Sequence, residues 1–336
     1  MPSLKEVKNR IGSVVSTQQI TKAMKMVAAA KLRRSQDRVM QMRPFAKKLS
    51  YIFQNLSSAQ AGEASGNWYS KVREEKNILI VAVSSDRGLC GSFNSNVFKG
   101  VLKLIQEKYE GQHNKGNVAI LPIGKKSLEF FTKRKVSTIA DYSTILTNLS
   151  FENVANAAEY MMRAFRSEKY DKIEIVYNEF KNVATQILRS EQFLPVLLPR
   201  PSDSSGRAKA EVKTNEVDYI YQPNREEIVA GLIPKSLKVQ LFKAVLDSNA
   251  AENGARMTAM DKATENAGEL LKELRLTYNR SRQASITKEI LEIVGRCRSI
   301  KIRIINQQVI TKKSPIGDFL VLQRTKQLEQ QRWRCT

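Results

Sequence analysis

One short turn contains most of the residues whose types could support chemistry. Residues 85–91 (SDRGLCG) follow an apolar run, and glycine turns that lead from a strand into a helix often bind phosphate. The turn has neither GxGxxG nor a Gly-Lys-Ser/Thr sequence at the spacing of a phosphate-binding loop. It therefore indicates neither dinucleotide nor mononucleotide binding, and we interpret it as a tight structural turn.

Cysteine and histidine chemistry is also disfavoured. A nucleophilic Cys90 would need a general base, and the single histidine, His113, lies in the polar run EGQHNKG, which predicts a solvated loop. The three cysteines, Cys90, Cys297 and Cys335, are far apart and share no metal-ligand spacing, which argues against a disulfide framework or a zinc site. We expect no catalytic residues, no metal and no cofactor, and a reducing compartment.

Length and hydrophobicity indicate a soluble protein of about two domains. The chain has 336 residues, of which 42% are hydrophobic. No run approaches the roughly 18 uncharged apolar residues of a membrane span. The first ten residues (MPSLKEVKNR) lack the apolar core of a signal peptide and already belong to a helical repeat, so we expect no cleaved targeting segment.

The net charge of +23 is concentrated at the two ends of the chain. Residues 1–56 contain 12 basic and 2 acidic residues, and residues 296–336 contain 10 and 2. On the first predicted helix the basic residues form one face, which indicates either a solvated helix surface or an acidic partner, which could be a protein or a polyanion. Residues 1–43 contain no aromatic side chain that could stack on bases, which disfavours nucleic acid. The basic face comprises Lys22, Lys25, Lys31, Arg33, Arg34 and Arg38.

Residues 4–56 predict one long helix. Steps of three and four residues from Leu4 reach mostly apolar positions, and a repeat of 3.5 residues requires a partner helix. The polar seam positions Gln18, Thr21 and Lys25 should weaken the pairing there, and Pro44 should bend the helix. The positions are Leu4, Val7, Ile11, Val14, Gln18, Thr21, Lys25, Ala28, Leu32, Ser35, Val39, Met42, Ala46, Leu49, Phe53 and Leu56.

A second helical pattern, residues 223–295, supplies the partner. Pro234 is allowed there only at a bend or in a first turn. Beyond Ala250 a seam of apolar and small residues follows the same repeat, so we predict an antiparallel two-helix coiled coil, with cysteines placed near Ala28 and Leu270 able to form a bridge. The seam comprises Met260, Ala263, Ala267, Leu270, Leu274, Thr277, Ser281 and Ala284, and after a stutter Ile286, Ile290 and Ile293.

Between the helices, a polar linker (57–76) precedes a domain at 77–222 in which strands and helices alternate. Such alternation predicts a mostly parallel sheet with helices on its faces, a Rossmann-like α/β domain. The predicted strands are 77–84, 117–124, 136–139 and 172–178, with an antiparallel strand within 185–198 and a brief strand at 217–222. The predicted helices follow the first three strands.

Three segments, in this order, closely resemble the γ subunits of F-type ATP synthases. They are residues 17–38 (TQQITKAMKMVAAAKLRRSQDR), 84–94 (SSDRGLCGSFN) and 255–295 (ARMTAMDKATENAGELLKELRLTYNRSRQASITKEILEIVG). The resemblance covers residues 1–295. It implies a non-catalytic rotor: a coiled coil inside a ring of α and β subunits, and a foot that joins the ε subunit and the membrane c-ring, so that ion flow drives ATP synthesis.

The resemblance also implies which residues make contacts. Matching positions for the α/β ring are Met24, Lys25, Arg282, Gln283, Thr287 and Glu289. Matching positions for the c-ring or ε are Tyr219, Tyr221 and Gln222. Relatives can carry an acid at the positions of Lys25 and Gln222, so charge pairing differs there, and ordinary helix or strand surface is the alternative for every one of these residues.

Two other classes are weighed against the rotor: an enzyme that uses the Rossmann-like domain, and a basic coiled-coil protein that binds nucleic acid. The missing phosphate loop and base oppose the first, and the lack of aromatic residues opposes the second. We expect no homo-oligomer and no redox-regulatory insertion between Asp171 and Val217. The expected location is peripheral, on the cytoplasmic face of a bacterial inner membrane, with a processed organellar chain as the alternative.

The last 41 residues, 296–336, differ in character from the rest. The resemblance ends at Gly295, and the segment that follows is strongly basic and fits neither the seam nor a coherent domain. Ile300–Ile310 could alternate as a strand, but a solitary hairpin is marginal in water. We favour an altered C-terminus, such as a frameshift produces, over a functional appendage, and a disordered basic tail is the main alternative.

Overall fold

The computed structural model describes residues 3–58, 68–183, 185–196 and 225–311. Two very long helices flank a small α/β region, as the sequence predicts. The helices are α1 (Leu4–Ser58), α2 (Phe93–Lys108), α3 (Glu110–Asn114), α4 (Lys125–Lys133), α5 (Phe151–Arg166) and α6 (Arg225–Thr311). The strands are β1 (Ile78–Val83), β2 (Val118–Ile123), β3 (Ser137–Thr138), β4 (Lys172–Phe180) and β5 (Gln186–Leu194).

The five strands form one mixed sheet in the order β3-β2-β1-β4-β5. β1 pairs in parallel with both β2 and β4, while β5 pairs antiparallel with β4 along Ile173–Phe180. β1 and β2 are buried along their whole length, which explains their unbroken apolar sequences ILIVAV and VAILPI. The predicted Rossmann-like α/β class and the antiparallel last strand are therefore confirmed.

Each face of the sheet is covered by helices. On one face Ile78, Ile80 and Val118 pack against α2 and α4. On the other face Leu79 and Val81 pack against α5 and the first part of α6, which contributes Ile233, Leu237, Leu241, Ala244 and Val245. Residues 68–196, which we call the body, therefore hold α6 as part of their own core.

The chain divides into two compact units. One comprises Gln19–Glu265, and the other combines Met1–Gln18 with Asn266–Thr336. Within the first unit α1 and α6 are antiparallel: Lys25 Nζ lies 2.5 Å from Asp261 Oδ1, and Ser35 Oγ lies 3.4 Å from Asn249 Oδ1. Within the second unit Gly268 comes so close to Gln18 that a Cβ would lie 3.2 Å from the Gln18 Nε2 atom. The predicted antiparallel pairing is confirmed in each unit.

The seam that was predicted on α1 agrees with the structure. From Val7 to Leu49 every predicted seam position is buried or half-buried, and nearly all positions between them are exposed. Ser3 caps the helix, because its Oγ accepts from the Glu6 N–H at 3.3 Å. Pro44 lies inside α1, which continues past it to Ser58.

The seam that was predicted on α6 was wrong by one residue at alternate positions. Leu271 is 7% exposed, whereas Leu270 is 37% exposed. Tyr278 and Ser285 are likewise half-buried where Thr277 and Ala284 are exposed. Because Leu270 and Leu271 are adjacent, the sequence allows two seams: steps from Met260 can begin with three residues, as predicted, or with four. The structure has the seam that begins with a step of four residues. The true seam is Met260, Thr264, Ala267, Leu271, Leu274, Tyr278, Ser281 and Ser285.

The predicted bridge between Ala28 and Leu270 was also wrong. Because Lys25 pairs with Asp261 and Thr21 with Thr264, Ala28 comes opposite the region of Met257. The register could not be read from the sequence, since two regular repeats can be aligned in several ways.

Four local expectations need correction or lie outside the described residues. Ile300–Ile310 is helical, because α6 continues to Thr311, so the strand expected there was wrong. His113 lies in α3 rather than in a loop, although its side chain is exposed as expected. The strand expected at 217–222 and the tail from 312 onward lie outside the described residues.

Candidate functional site

The crevice between the carboxyl ends of β1 and β4 is where a Rossmann-like sheet usually binds its ligand, because the strand order reverses there. In this chain two helices fill it. Phe93, which follows β1, and Phe180, which ends β4, pack with Leu32 of α1 and with Leu246 and Ala250 of α6. The usual nucleotide position is therefore occupied by the α1–α6 helix pair.

The turn after β1 uses its polar groups internally. The Ser85 N–H donates to Asn94 Oδ1 at 3.0 Å, and the Ser85 hydroxyl donates to the Arg87 carbonyl at 2.7 Å. Asn94 Nδ2 lies 3.2 Å from the sulfur of Cys90, which is buried. These contacts support the interpretation as a tight structural turn, since the polar groups of Ser85 and Asn94 are paired within it.

The amino terminus of α4, a second position where phosphate could bind, is occupied by protein side chains. Asp86 Oδ1 accepts from the Lys125 N–H at 3.2 Å, and Ser84 Oγ accepts from the Ser127 N–H at 2.9 Å. Gly124, which precedes the helix, has φ of 109°, and a Cβ there would lie 2.6 Å from the Ser84 carbonyl oxygen. A carboxylate from the neighbouring turn thus takes the place of an anion.

Two arginines attach the helix pair to the body. Arg256 Nη2 donates to the Arg87 carbonyl at 3.1 Å and lies 2.7 Å from Glu252 Oε1, so α6 holds the turn after β1. From α1, Arg43 donates to the carbonyl of Phe180 at 3.0 Å. The spacing of Glu252 and Arg256, four residues apart on a helix, is a signal that the sequence analysis overlooked.

A buried carboxylate lies beside the Arg43 contact. Asp247 is almost completely buried, and its Oδ1 lies 3.7 Å from Arg43 Nη2, an ion-pair distance beyond hydrogen bonding. Burial raises the pKa of the Asp247 carboxyl above its ordinary value, and the positive charges of Arg43 and Lys243 only partly oppose this shift. Desolvation of the Asp247 carboxylate costs free energy, so the ion pair fixes the position of Arg43 relative to Asp247 more than it stabilises the fold.

A layer of polar residues joins α1 and α6 beyond the body. The hydroxyl oxygens of Thr21 and Thr264 lie 2.8 Å apart, and Lys25 Nζ lies 2.5 Å from Asp261 Oδ1. Of the two ring-contact residues predicted on α1, Met24 is half-buried, and Lys25 is half-buried and paired with α6. The polar seam positions therefore find matching partners, whereas the sequence had suggested only a weak pairing.

The ring-contact residues predicted on α6 are all exposed. They are Arg282, Gln283, Thr287 and Glu289. The only side-chain contact described among them is local, from the Thr287 hydroxyl to the Gln283 carbonyl at 2.8 Å. Tyr219, Tyr221 and Gln222, predicted for the foot, lie outside the described residues. The structure thus places the four α6 residues on one stretch of helix and does not test the foot.

From 286 to 301 every side chain of α6 is exposed, including large apolar ones. Leu291 is 64% exposed and Ile293 62%. At 100° per residue, Ile286 and Ile293 lie about 20° apart on one side of the helix, whereas Leu291 points about 140° away from Ile286, so no single flat surface could cover all three. We call residues 286–301 the exposed segment of α6.

Residues 3–58, 68–183, 185–196 and 225–311 contain no group of three or more histidine, cysteine or acidic side chains arranged to hold a metal ion. Within the same ranges, none of the helices combines the length and hydrophobicity that crossing a bilayer requires.

The filled crevice and the two long helices define a helical-stalk protein with a Rossmann-like body. The sequence family described as ATP synthase matches residues 3–300. The ATP synthase gamma chain of Cytophaga hutchinsonii is 58% identical over 302 residues, 89% of this chain and 99% of that protein. The gamma chain of Flavobacterium johnsoniae is 52% identical over 301 residues, with 89% and 99% covered.

Solved structures show the same fold. A chain of the mitochondrial ATP synthase of Euglena gracilis, in a complex of OSCP, F1 and c-ring, has a TM-score of 0.60 at 22% identity and covers 94% of this chain and 97% of that one. A chain of the Euglena rotor has a TM-score of 0.56 at 22% identity, with 84% and 98% covered. The chain belongs to the ATP synthase γ family. As a γ chain it is a non-catalytic, rotor-stalk subunit of the complex.

Proposed function

We propose that this γ chain transmits torque between a membrane c-ring and a catalytic ring of α and β subunits, with the ε subunit as a further partner at the foot. The α1–α6 helix pair carries the torque, and the body connects it to the foot. The proposal is supported by the similarity to gamma chains and by the fold shared with chains of rotary ATP synthases.

The exposed segment of α6 is the observation that carries this proposal. Burying a leucine or isoleucine side chain contributes about 2 kcal/mol, so a helix with such residues on two opposite sides is stabilised most by a partner that surrounds it. A closed ring of subunits provides this enclosure. A flat partner surface or a single groove could cover Ile286 and Ile293 together but would leave Leu291, on the opposite side, in water.

The individual contacts are proposed from the family resemblance together with exposure. Arg282, Gln283, Thr287 and Glu289 precede or lie within the exposed segment, and all four are exposed, so loops of a surrounding ring could contact them. Met24 and Lys25 would meet the ring from α1. Tyr219, Tyr221 and Gln222 remain proposed foot contacts on the resemblance alone.

The filled crevice explains how torque could pass from the body to the helices. The helix pair packs against Phe93 and Phe180 of the body. Arg43 hydrogen-bonds the body at the end of β4, and Arg256 hydrogen-bonds it after β1. A nucleotide in this crevice would leave the helices without their anchor. In this chain the ligand position of the fold therefore serves as a mechanical joint.

We place the chain at the cytoplasmic face of a bacterial inner membrane, as a peripheral part of the complex. The similarity to bacterial relatives supports this location. Fractionation of the source cells tests it, because the chain should remain with the membranes at physiological salt and leave them together with α and β subunits.

Charged substitutions in the exposed segment test the enclosure. The double variant Leu291→Asp with Ile293→Asp should prevent stable assembly with α and β subunits when the full chain is co-expressed with them. Val72→Asp is a matched control, because Val72 is an equally exposed apolar residue of the body, and it should leave the α/β contact intact. Normal assembly of the double variant would contradict the enclosure.

We also retain the hypothesis that residues 296–336 do not contribute to rotary function. The family match ends at residue 300, which supports the hypothesis for residues 301–336. A chain truncated after Gly295 should support ATP-driven proton pumping at the normal rate in reconstituted complexes of matched assembly. Loss of coupling with normal assembly would show that the tail is a working part.

A further inference from the structure

We propose that Asp261 masks the positive charge of Lys25 on the part of the helix pair that faces an acidic partner, and thereby limits how tightly that partner holds the rotor. The inference rests on the proposed function, in which this part of α1 faces the ring. It assigns a role to Asp261, a residue outside the proposed set of ring contacts.

The geometry of the pair is that of a strong ionic hydrogen bond. Lys25 Nζ lies 2.5 Å from Asp261 Oδ1, and the two side chains are 38% and 58% exposed. Lys25 occupies a seam position of α1, so its aliphatic part lies against α6 while its ammonium reaches the rim. An approaching partner therefore meets an ion pair with no net charge instead of a single positive charge.

The pair is not needed for folding or for register. An exposed ion pair adds little to stability. The register of the two helices is already fixed where Leu32 and Val39 pack with Leu246, Ala250 and Ala251, and again where the hydroxyls of Thr21 and Thr264 meet. The remaining consequence of the pair is electrostatic, because it removes one positive charge from the surface of the helix pair.

That charge would matter because its surroundings are basic. Lys22, one helical turn away, is exposed, as are Lys31, Arg33, Arg34 and Arg38 further along α1, and the acidic exception among them is Asp37. A partner that matches this face by charge is acidic. A rotor must release each contact in order to turn, so an additional unmasked cation at the rim would prolong the contact and slow rotation.

The test uses the assembled complex and the isosteric variant Asp261→Asn. Steady-state ATP hydrolysis at low ionic strength should fall by up to about fivefold, the upper limit for one additional exposed charge pair in each contact. The defect should shrink at high salt, because exposed charges are screened. Glu265→Asn, which removes an exposed acid one turn further along α6, should leave the rate unchanged.

Removing the cation distinguishes masking from a positional role. The double variant Lys25→Met with Asp261→Asn should hydrolyse ATP at the rate of Lys25→Met alone. A rate unchanged by Asp261→Asn, or a defect that persists in the double variant, overturns the proposal. If Asp261→Asn fails to assemble, the exchanged pair Lys25→Asp with Asp261→Lys serves as the test. Masking predicts that this double variant hydrolyses ATP at the normal rate, and a reduced rate overturns the proposal. Failure of the unaltered chain to assemble with α and β subunits would instead contradict the proposed function.

Discussion

A disulfide between α1 and α6 tests the register of the helix pair. The hydroxyl oxygens of Thr21 and Thr264 lie 2.8 Å apart, so cysteines at both positions can bring their sulfurs to the 2.05 Å of a disulfide with small rotations. The variant Thr21→Cys with Thr264→Cys, in a background in which Cys297 and Cys335 are serine, should therefore oxidise quantitatively. Cys90 is buried and can stay.

The effect on stability can be worked out from the length of the closed loop. The two positions are 243 residues apart, so the bridge should reduce the entropy of the unfolded chain by an equivalent of about 5.5 kcal/mol at most. Non-reducing electrophoresis measures closure, and thermal unfolding followed by circular dichroism should show a higher midpoint for the oxidised than for the reduced protein.

The matched control moves one cysteine along α6. In Thr21→Cys with Thr258→Cys the second position is six residues away, about 9 Å along the helix axis, and the bridge should not form. Closure of the control, or an open Thr21–Thr264 pair under the same oxidant, would refute the register and with it the assignment of the α6 seam.

Five further substitutions test packing and electrostatics in the full chain by thermal or urea unfolding. Leu271→Ala should cost about 3 kcal/mol because Leu271 is buried, and Leu270→Ala less than about 1 kcal/mol; equal losses would contradict the corrected seam. Gly124→Ala should destabilise the protein by about 2 kcal/mol or more, because the new Cβ would overlap the Ser84 carbonyl and the backbone has a positive φ. Gly12→Ala should instead stabilise it by about 0.5 to 1 kcal/mol, because Gly12 lies inside α1 with open space around it. Asp247→Asn should stabilise the protein at pH values above the raised pKa of Asp247, because the native carboxylate is charged and desolvated there. The gain in stability should vanish as the pH falls towards the ordinary aspartate pKa. A gain that grows on acidification would contradict this reasoning.

The sequence predicted the regular parts of the fold because local signals determine them. The apolar runs of β1 and β2 and the 3.5-residue repeat of α1 each follow from a period that needs no tertiary information. The phase of the α6 seam was lost at Leu270 and Leu271, where two equal side chains satisfy the pattern. The helical state of Ile300–Ile310 was missed for a related reason, because alternation of isoleucines fits a short strand as well as a helix end.

The site was predictable only in part, because its decisive contacts join residues far apart in the chain. Arg256 meets the carbonyl of Arg87, and Lys25 meets Asp261, across separations of 169 and 236 residues. The turn at 85–91 could be recognised as structural from its missing phosphate motif. That two helices would fill the crevice beside it depends on the topology of the sheet, which the order of strands in the sequence does not determine.

Rotation of the chain inside its complex tests the central claim most directly. A cysteine at the exposed position Lys99 of α2, in the background lacking Cys297 and Cys335, would carry a bead while the α and β subunits are fixed to a surface. With ATP the bead should turn continuously in one direction and stop when ATP is removed. A complex that contains this chain and hydrolyses ATP while the bead stays still would contradict the assignment of the chain as the rotor.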